Sequence, residues 1–471
     1  MRFVICHLAF VIFAAGCAVG PNYKRPDVAQ PAAYRDATSS GTNSFADFAW
    51  WEIYRDPVLA GLIRTALTNN LDLKVAVTRV EQARQAAAEA RSQFFPSVGY
   101  SGAVSKGRNE FAGNYNYNGG QIGDAAVGVL NAAWEVDLWG RIRRLNESAR
   151  AQYLATDEAR RGIRLSLVSQ VAAAYFQLLE LDLQLQIAQR TTNSFGGSLD
   201  IFTQRLLGGV GSKLETSRAA AALASVTASV PATERQIAVQ ENQINILLGR
   251  PPGPVERSAT LLEQGVPPEV PAGLPSQLLS RRPDVMSAEQ QLRSANAQVG
   301  VSVANFLPQI GLTAFMGKVS PELSAITLGS ANAWSLAASA TGPIFQGGAN
   351  VAKYRQAKAF WDQNRLQYEL SVLNALREVS DALVTREKLV LEREQLARSV
   401  QAYQEAVVIS TQRYLAGKAS YYEVLEAQQQ LFPAENSLAQ TELNQRLVIV
   451  QLYQALGGGW KLSDAEWDHQ P

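Results

Sequence analysis

The chain has 471 residues, 47% of them hydrophobic, and a formal net charge of only +1. Near-neutrality excludes both the basic footprint of a nucleic-acid binder and an acidic tail. Two histidines and two cysteines leave no material for a histidine triad, a Cys/His metal cluster or a disulfide framework, so no catalytic residue, metal ligand or cofactor is expected.

The chain opens with "MRFVICHLAFVIFAAGCAVGPNYKRP", in which Arg2 precedes an apolar stretch from Phe3 to Ala15 that ends on small residues. This predicts an export signal over 1–16. Cys17 follows Ala15 and Gly16 directly, the pattern of a bacterial lipobox, in which the thiol takes a diacylglycerol and cleavage makes Cys17 the new N-terminus. Two or more acyl chains anchor stably. Ala14 stands where such a box usually has Leu, which leaves ordinary cleavage beside a free Cys17 thiol as the other reading. Ala18 is not the Asp of inner-membrane lipoproteins, so the lipobox resemblance implies the outer membrane.

Residues 17–48, with Pro21, Pro26 and Pro31, read as an extended segment. A Pro-rich linker over 250–275 holds seven of the 19 prolines and separates two repeats, 49–249 and 276–459, followed by a tail over 460–471. The repeats share landmarks in one order. "SQFFPSVG" (92–99) returns as "ANFLPQIG" (304–311), and "TQRLLGGVGS" (203–212) returns as "TQRYLAGKAS" (411–420).

Each repeat follows one plan. A helix over 70–94, and again over 284–306, runs into a proline that ends it. Two strands follow, "SVGYSGAVS" and "GVLNAAWEVDLW" in the first repeat, "QIGLTAFMG" and "AWSLAASATGPIF" in the second. A very long helix is predicted next, over 142–206 and 349–415, then a glycine turn and a return helix over 213–248 and 420–456. At about 1.5 Å per residue, the long helix matches the short and return helices stacked end to end, at roughly 100 Å. Val372, Ala375, Val379, Ala382, Leu389, Leu396, Val400, Tyr403 and Val407 follow the 3,4 spacing of a coiled-coil seam that only Arg386 and Arg393 break. In the first long helix Val168, Val171, Tyr175 and Leu178 form one stripe and Leu165, Ala172, Phe176, Leu179 and Leu183 another, so it has two neighbours.

On the strand expected to end near Leu138, Leu130, Ala132, Trp134, Val136 and Leu138 take one face, while Asn131, Ala133, Glu135 and Asp137 take the other. Apolar residues out and polar residues in is the pattern of a tilted transmembrane strand. An open four-stranded sheet cannot span lipid, because its edge groups would lack partners. The barrel must therefore be shared, and three chains supplying twelve strands leave an open lumen where eight strands would be filled by side chains. Asn131, Glu135 and Asp137 are expected to line that lumen. Glu135 and Asp137 are also a carboxylate pair of the kind a glycosidase uses, but as the polar face of a strand they read as solvated acids. For Arg141, Arg143 and Arg144 three readings stand: contact with lipid phosphates, pairing with acidic neighbours, or simple solvation. Trp134, Trp139 and Phe345 suit either an interfacial girdle or ordinary packing. "GRNEFAGNYNYNGGQ" (107–121) reads as an exposed outer loop.

"GCAVGPNYKRP", "WWEIYRDPVLAGLI", "EVDLWGRIRR", "RRPDVMSAEQQLRSANAQVG" and "RYLAGKASYYEVLEAQQQL" together resemble the outer membrane factors of tripartite efflux and secretion systems, TolC/OprM-like and of the lipoprotein NodT-type branch. The resemblance covers essentially the whole mature chain. It implies an α+β membrane protein: a homotrimer with a twelve-stranded β-barrel, four strands per chain, continued by a long periplasmic α-helical coiled-coil barrel with an equatorial band. The implied protein is a passive export duct in the outer membrane, lipid-anchored and extending into the periplasm. Its implied partners are outer membrane lipid, a periplasmic adaptor (membrane fusion) protein and an inner-membrane transporter, expected to be of RND type. A non-conducting coiled-coil lipoprotein that tethers the envelope is the alternative; it accounts for the lipobox and heptads but not for alternating strands at matching repeat positions.

The turns around Gly209 and Gly417 are the expected periplasmic gate and adaptor contact, with Arg205, Leu206, Leu207, Arg413, Tyr414, Leu415 and Lys418 around them. Leu207, Tyr414 and Leu415 are expected to close the pore apolarly, and Arg205 and Arg413 to pair between protomers. Relatives often carry an acid near Ala419, so an acidic constriction ring is not expected here.

Overall fold

The computed structural model describes residues 18–34, 44–108, 122–265, 273, 275–320 and 326–468. The expected signal, Cys17 and His469 lie outside them, as does the Gly/Asn-rich stretch from 109 onward. The described chain runs through helices α1 (Pro57–Asn69) and α2 (Leu71–Ser92), strands β1 (Ser97–Arg108) and β2 (Ile122–Val136), then helices α3 (Arg141–Leu207) and α4 (Lys213–Leu247). The second repeat supplies α5 (Pro283–Ala304), β3 (Gln309–Ser320), β4 (Asn332–Thr341), α6 (Ala349–Leu415) and α7 (Tyr421–Ala455). Both long helices have 67 residues and both return helices 35.

The boundaries have local causes. Pro96 and Pro308 follow α2 and α5 and cannot continue a helix. Asp56 caps α1, accepting from Val58 N at 2.8 Å and Leu59 N at 3.0 Å, with Pro57 at the first helical position. The helix expected over 70–94 starts at Leu71 because Asn70 caps it, taking Leu73 N at 2.9 Å.

Two compact units divide the chain. The first takes in the described parts of Met1–Asp27, Arg79–Asp157 and Ser287–Glu369; the second is Val28–Thr78, Glu158–Met286 and Leu370–Pro471.

The first unit contains one antiparallel sheet of order β1-β2-β3-β4. Its register aligns Tyr100, Leu130, Met316 and Trp334 across the four strands, and Val98, Ala132, Ala314 and Leu336 beside them. Opposed residues share a face, so Val98, Tyr100, Val104, Leu130, Ala132, Trp134, Val136, Ile310, Leu312, Ala314, Met316, Trp334 and Leu336 form one apolar face. Among the described residues nothing covers it: Tyr100 is 87% exposed, Leu336 77% and Trp334 76%. The other face carries Ser97, Gly99, Ser101, Asn131, Glu135, Gln309, Thr313, Ser335, Ser339 and Thr341.

The same unit holds an N-terminal strap. Val19 N donates to Trp139 O at 2.9 Å, Arg144 Nε to Val19 O at 3.2 Å, and Asn296 Nδ2 to Pro21 O at 2.9 Å. Buried Glu289 takes Arg25 at 2.6 Å and the Tyr23 hydroxyl at 3.2 Å. The strap lies so close that a Cβ on Gly20 would sit 2.5 Å from Gly300 Cα.

The second unit buries the first stripe expected of the first long helix, Val168, Val171, Tyr175 and Leu178, and of the second stripe Leu165, Ala172, Phe176 and Leu179, while Leu183 is half-buried. In α6 the seam buries Val372, Ala375, Val379, Ala382, Leu389 and Val400, and Arg393 meets the buried carboxylate of Glu442 at 2.5 Å. Burial of Asp56 is matched by donors: Tyr175 Oη at 3.1 Å, Ser258 Oγ at 2.6 Å and Gln264 Nε2 at 2.5 Å all reach its Oδ2.

Candidate functional site

Two places carry the residues that the sequence singles out: the junction of β2 with α3, and the turns that join each long helix to its return helix.

At the junction, β2 ends at Val136, two residues short of the expected end, so Asp137 is not a strand residue. The physical reason is helix capping. Asp137 accepts from Ile142 N at 3.0 Å and Arg143 N at 2.9 Å, and Arg143 Nε adds 3.2 Å. A carboxylate here satisfies free amide groups at the start of α3 and complements its dipole. Glu135 stays in β2, on the polar face with Asn131, and receives Arg141 in a bidentate pair, Nε at 2.9 Å and Nη2 at 2.6 Å. Arg144 is buried and tied to Glu147 at 2.7 Å, Asn22 at 2.8 Å and the strap carbonyls. Of the three readings open for these arginines, acidic neighbours hold for all three. Trp139 Nε1 donates to Pro308 O at 2.8 Å and Trp134 Nε1 to Phe94 O at 3.0 Å, which ties both indoles to the proline corners, while Phe345 is exposed.

The two turns are built alike. After α3, Gly209 N reaches Leu206 O and Val210 N reaches Arg205 O, each at 3.0 Å. After α6, Gly417 N reaches Tyr414 O at 3.0 Å and Lys418 N reaches Arg413 O at 2.8 Å. Both are Schellman closures whose glycine has positive φ, 73° and 69°. The following helices begin with Ser-x-x-Glu. Ser212 and Glu215 close a capping box, whereas Glu423 turns instead toward Arg413, 3.6 Å away.

Tyr414 corrects the expectation of an apolar plug. Its ring is 6% exposed, packed in a cluster with Phe195, Phe202, Ala219, Tyr421 and Val424, because an aromatic ring at a helix end gains more from that pocket than from water. Phe202 meets Tyr421 edge-on at 4.4 Å and Tyr414 at 5.3 Å, and the Arg205 guanidinium lies 4.8 Å from the Tyr414 centroid. Arg413, expected to pair across protomers, has its acid within the chain. Leu207 is 79% and Leu415 58% exposed, Leu206 is half-buried, and Lys418 is exposed. Among the described residues, Arg205 Nε and the Tyr414 and Tyr421 hydroxyls are buried without a hydrogen-bond partner.

Sequence reasoning missed Glu215, Glu423, Asp56 and the strap contacts. The Ser-x-x-Glu spacing at 212–215 and 420–423 was a usable signal; the Asp56 network had none, since its donors come from positions 175, 258 and 264.

Residues 62–250 and 274–458 both match the outer membrane efflux protein family. The chain is 31% identical over 454 residues to the cation efflux system protein CusC of Escherichia coli O6:H1, covering 95% of this chain and 96% of CusC. It is 30% identical over 472 residues to the probable outer membrane lipoprotein SilC of Salmonella typhimurium, covering 96% of this chain and 98% of SilC. The solved outer-membrane channel OprN superposes with a TM-score of 0.87 at 32% identity, over 95% of this chain and all of OprN. Both halves of the chain match the family and the fold is shared along nearly the whole length, so the chain belongs to the outer membrane efflux protein family as an outer membrane efflux channel.

Proposed function

We propose that three copies of this chain close a twelve-stranded barrel and act as a passive export duct, without enzymatic activity, for a periplasmic adaptor protein and an inner-membrane transporter of RND type. The observation that carries the trimer is the sheet: four antiparallel strands that, among the described residues, leave an apolar face uncovered and the edges at β1 and β4 unpaired. In lipid those edges need backbone partners, which neighbouring copies supply. Asn131 and Glu135 then face the lumen, and Asp137 lies at its inner mouth.

The turns at Gly209 and Gly417, with Arg205, Leu206, Leu207, Arg413, Leu415 and Lys418, form the periplasmic gate and the adaptor contact. The exposed Leu207 and Leu415 side chains suit a surface that meets another chain. Lipidation of Cys17 anchors the N-terminus; the strap from Ala18 runs beside the end of β2, where a membrane boundary is expected. The 1–16 signal, the repeats 49–249 and 276–459, the 250–275 linker and the 460–471 tail complete this organisation. Purified protein in detergent is expected to run as a heat-modifiable trimer and to conduct in planar bilayers. A monomeric, non-conducting rod would instead support an envelope tether and overturn the duct.

A further inference from the structure

The polar face of the sheet holds very little charge. Among the described side chains of the four strands on that face, only Glu135 is ionisable; the rest are Ser, Thr, Asn, Gln, Gly and Ala, with Val127, Val129, Phe315 and Val319. Glu135 is also not a free acid. Arg141, six residues on in the first turn of α3, grips both its oxygens at 2.9 and 2.6 Å, and the two side chains remain 25% and 22% exposed. The pair opens on a recess of about 460 Å³ whose wall includes Ser97, Gln309, Thr313, Ser339 and Thr341. Asp137, the other acid of the "EVDLWGRIRR" stretch, is matched in the same way by Arg143 and two helix amides.

We infer that the Glu135–Arg141 pair sets the charge selectivity of the duct, by holding the barrel electrically neutral at its inner mouth so that cargo is not sorted there by charge. This rests on the reading that the polar face lines a shared lumen. The physical basis is that rings of like charge select ions in a pore, whereas a closely opposed pair presents only a dipole. Its field falls off faster than that of a single charge, and salt screens it further. Three protomers place three such pairs in one ring, so removing one partner creates a ring of three uncompensated charges of a chosen sign. On the polar face the described strands hold no other ionisable side chain, and the nearby Asp137 is already matched by Arg143 and two helix amides.

The test uses the full-length protein in planar bilayers with a KCl gradient at low ionic strength, where screening is weakest. Arg141→Gln frees the carboxylate and is expected to raise the potassium-to-chloride permeability ratio about twofold or more over wild type. Glu135→Gln frees the guanidinium and is expected to lower it by a similar factor. The double variant should return to the wild-type ratio. Opposite signs from two near-isosteric changes are not a consequence of impaired folding, so either single variant that assembles decides the matter through its sign. Conducting channels whose ratio stays unchanged, or moves the same way in both single variants, overturn this inference and leave the duct standing. A wild-type protein that never conducts overturns the duct and this inference together.

Discussion

Asp56→Ala removes a carboxylate that organises one corner of the second unit. Its Oδ1 caps α1 through Val58 N and Leu59 N, and its Oδ2 gathers the Tyr175 and Ser258 hydroxyls and the Gln264 amide. Loss of the cap costs about 1 kcal/mol, and a donor left buried without an acceptor costs about 1 to 3 kcal/mol. With Tyr175 buried but Ser258 and Gln264 able to turn toward water, the total is about 3 to 5 kcal/mol, or a fall in Tm of about 3 to 5 °C for a chain of this length. Asp56→Asn keeps the cap oxygen, and the two hydroxyls can turn to accept, so it should lose about half as much. Burial alone would raise the Asp56 carboxyl, but hydrogen bonds from Ser258, Leu59, Gln264 and Tyr175 outweigh it and hold the group below the ordinary carboxylate range. A depressed folded value means that the contribution is complete above the unfolded value of about 4 and is lost as pH falls through the folded one. The gap between wild type and Asp56→Ala should therefore be constant from neutral pH to about pH 5 and narrow only under acid below about 4. Thermal melts followed by helical circular dichroism in detergent measure both effects. Equal melting of wild type, Asp56→Asn and Asp56→Ala at neutral pH would refute the reasoning.

Cys17→Ser should abolish metabolic acyl labelling and signal removal after Gly16 while leaving the trimer intact; a mature, unlabelled wild-type protein would show ordinary cleavage instead. Leu415→Ser with Arg413→Ala removes an exposed apolar contact and the partner of Glu423, and should make the duct leaky. Single-channel conductance and vancomycin entry into cells check this, and wild-type values for both, with folded protein present, place the constriction elsewhere. Gly20→Val puts a side chain where Gly300 Cα lies 2.5 Å from an ideal Cβ. It should release the strap and speed tryptic cleavage after Lys24 by about tenfold or more, and an unchanged cleavage rate would show that the strap does not hold there.

The amino-acid order alone determined the elements and their repetition. Period-two alternation over 128–136, 3,4 spacing along the long helices and prolines after each short helix are local signals. Local hydrogen bonding and steric exclusion read the same way whatever surrounds them, which is why the long helix expected over 349–415 spans those residues in the structure. Tertiary structure decided where polar side chains spend their hydrogen bonds. Asp137 left the strand because the first amide groups of α3 needed an acceptor, and Tyr414 left the expected gate because Phe202 and Tyr421, from two other helices, offered its ring a dry pocket. Asp56 and Arg144 collect partners more than 100 residues away in sequence. Such contacts depend on which helix faces which, a property of the folded chain that no window of neighbouring residues contains.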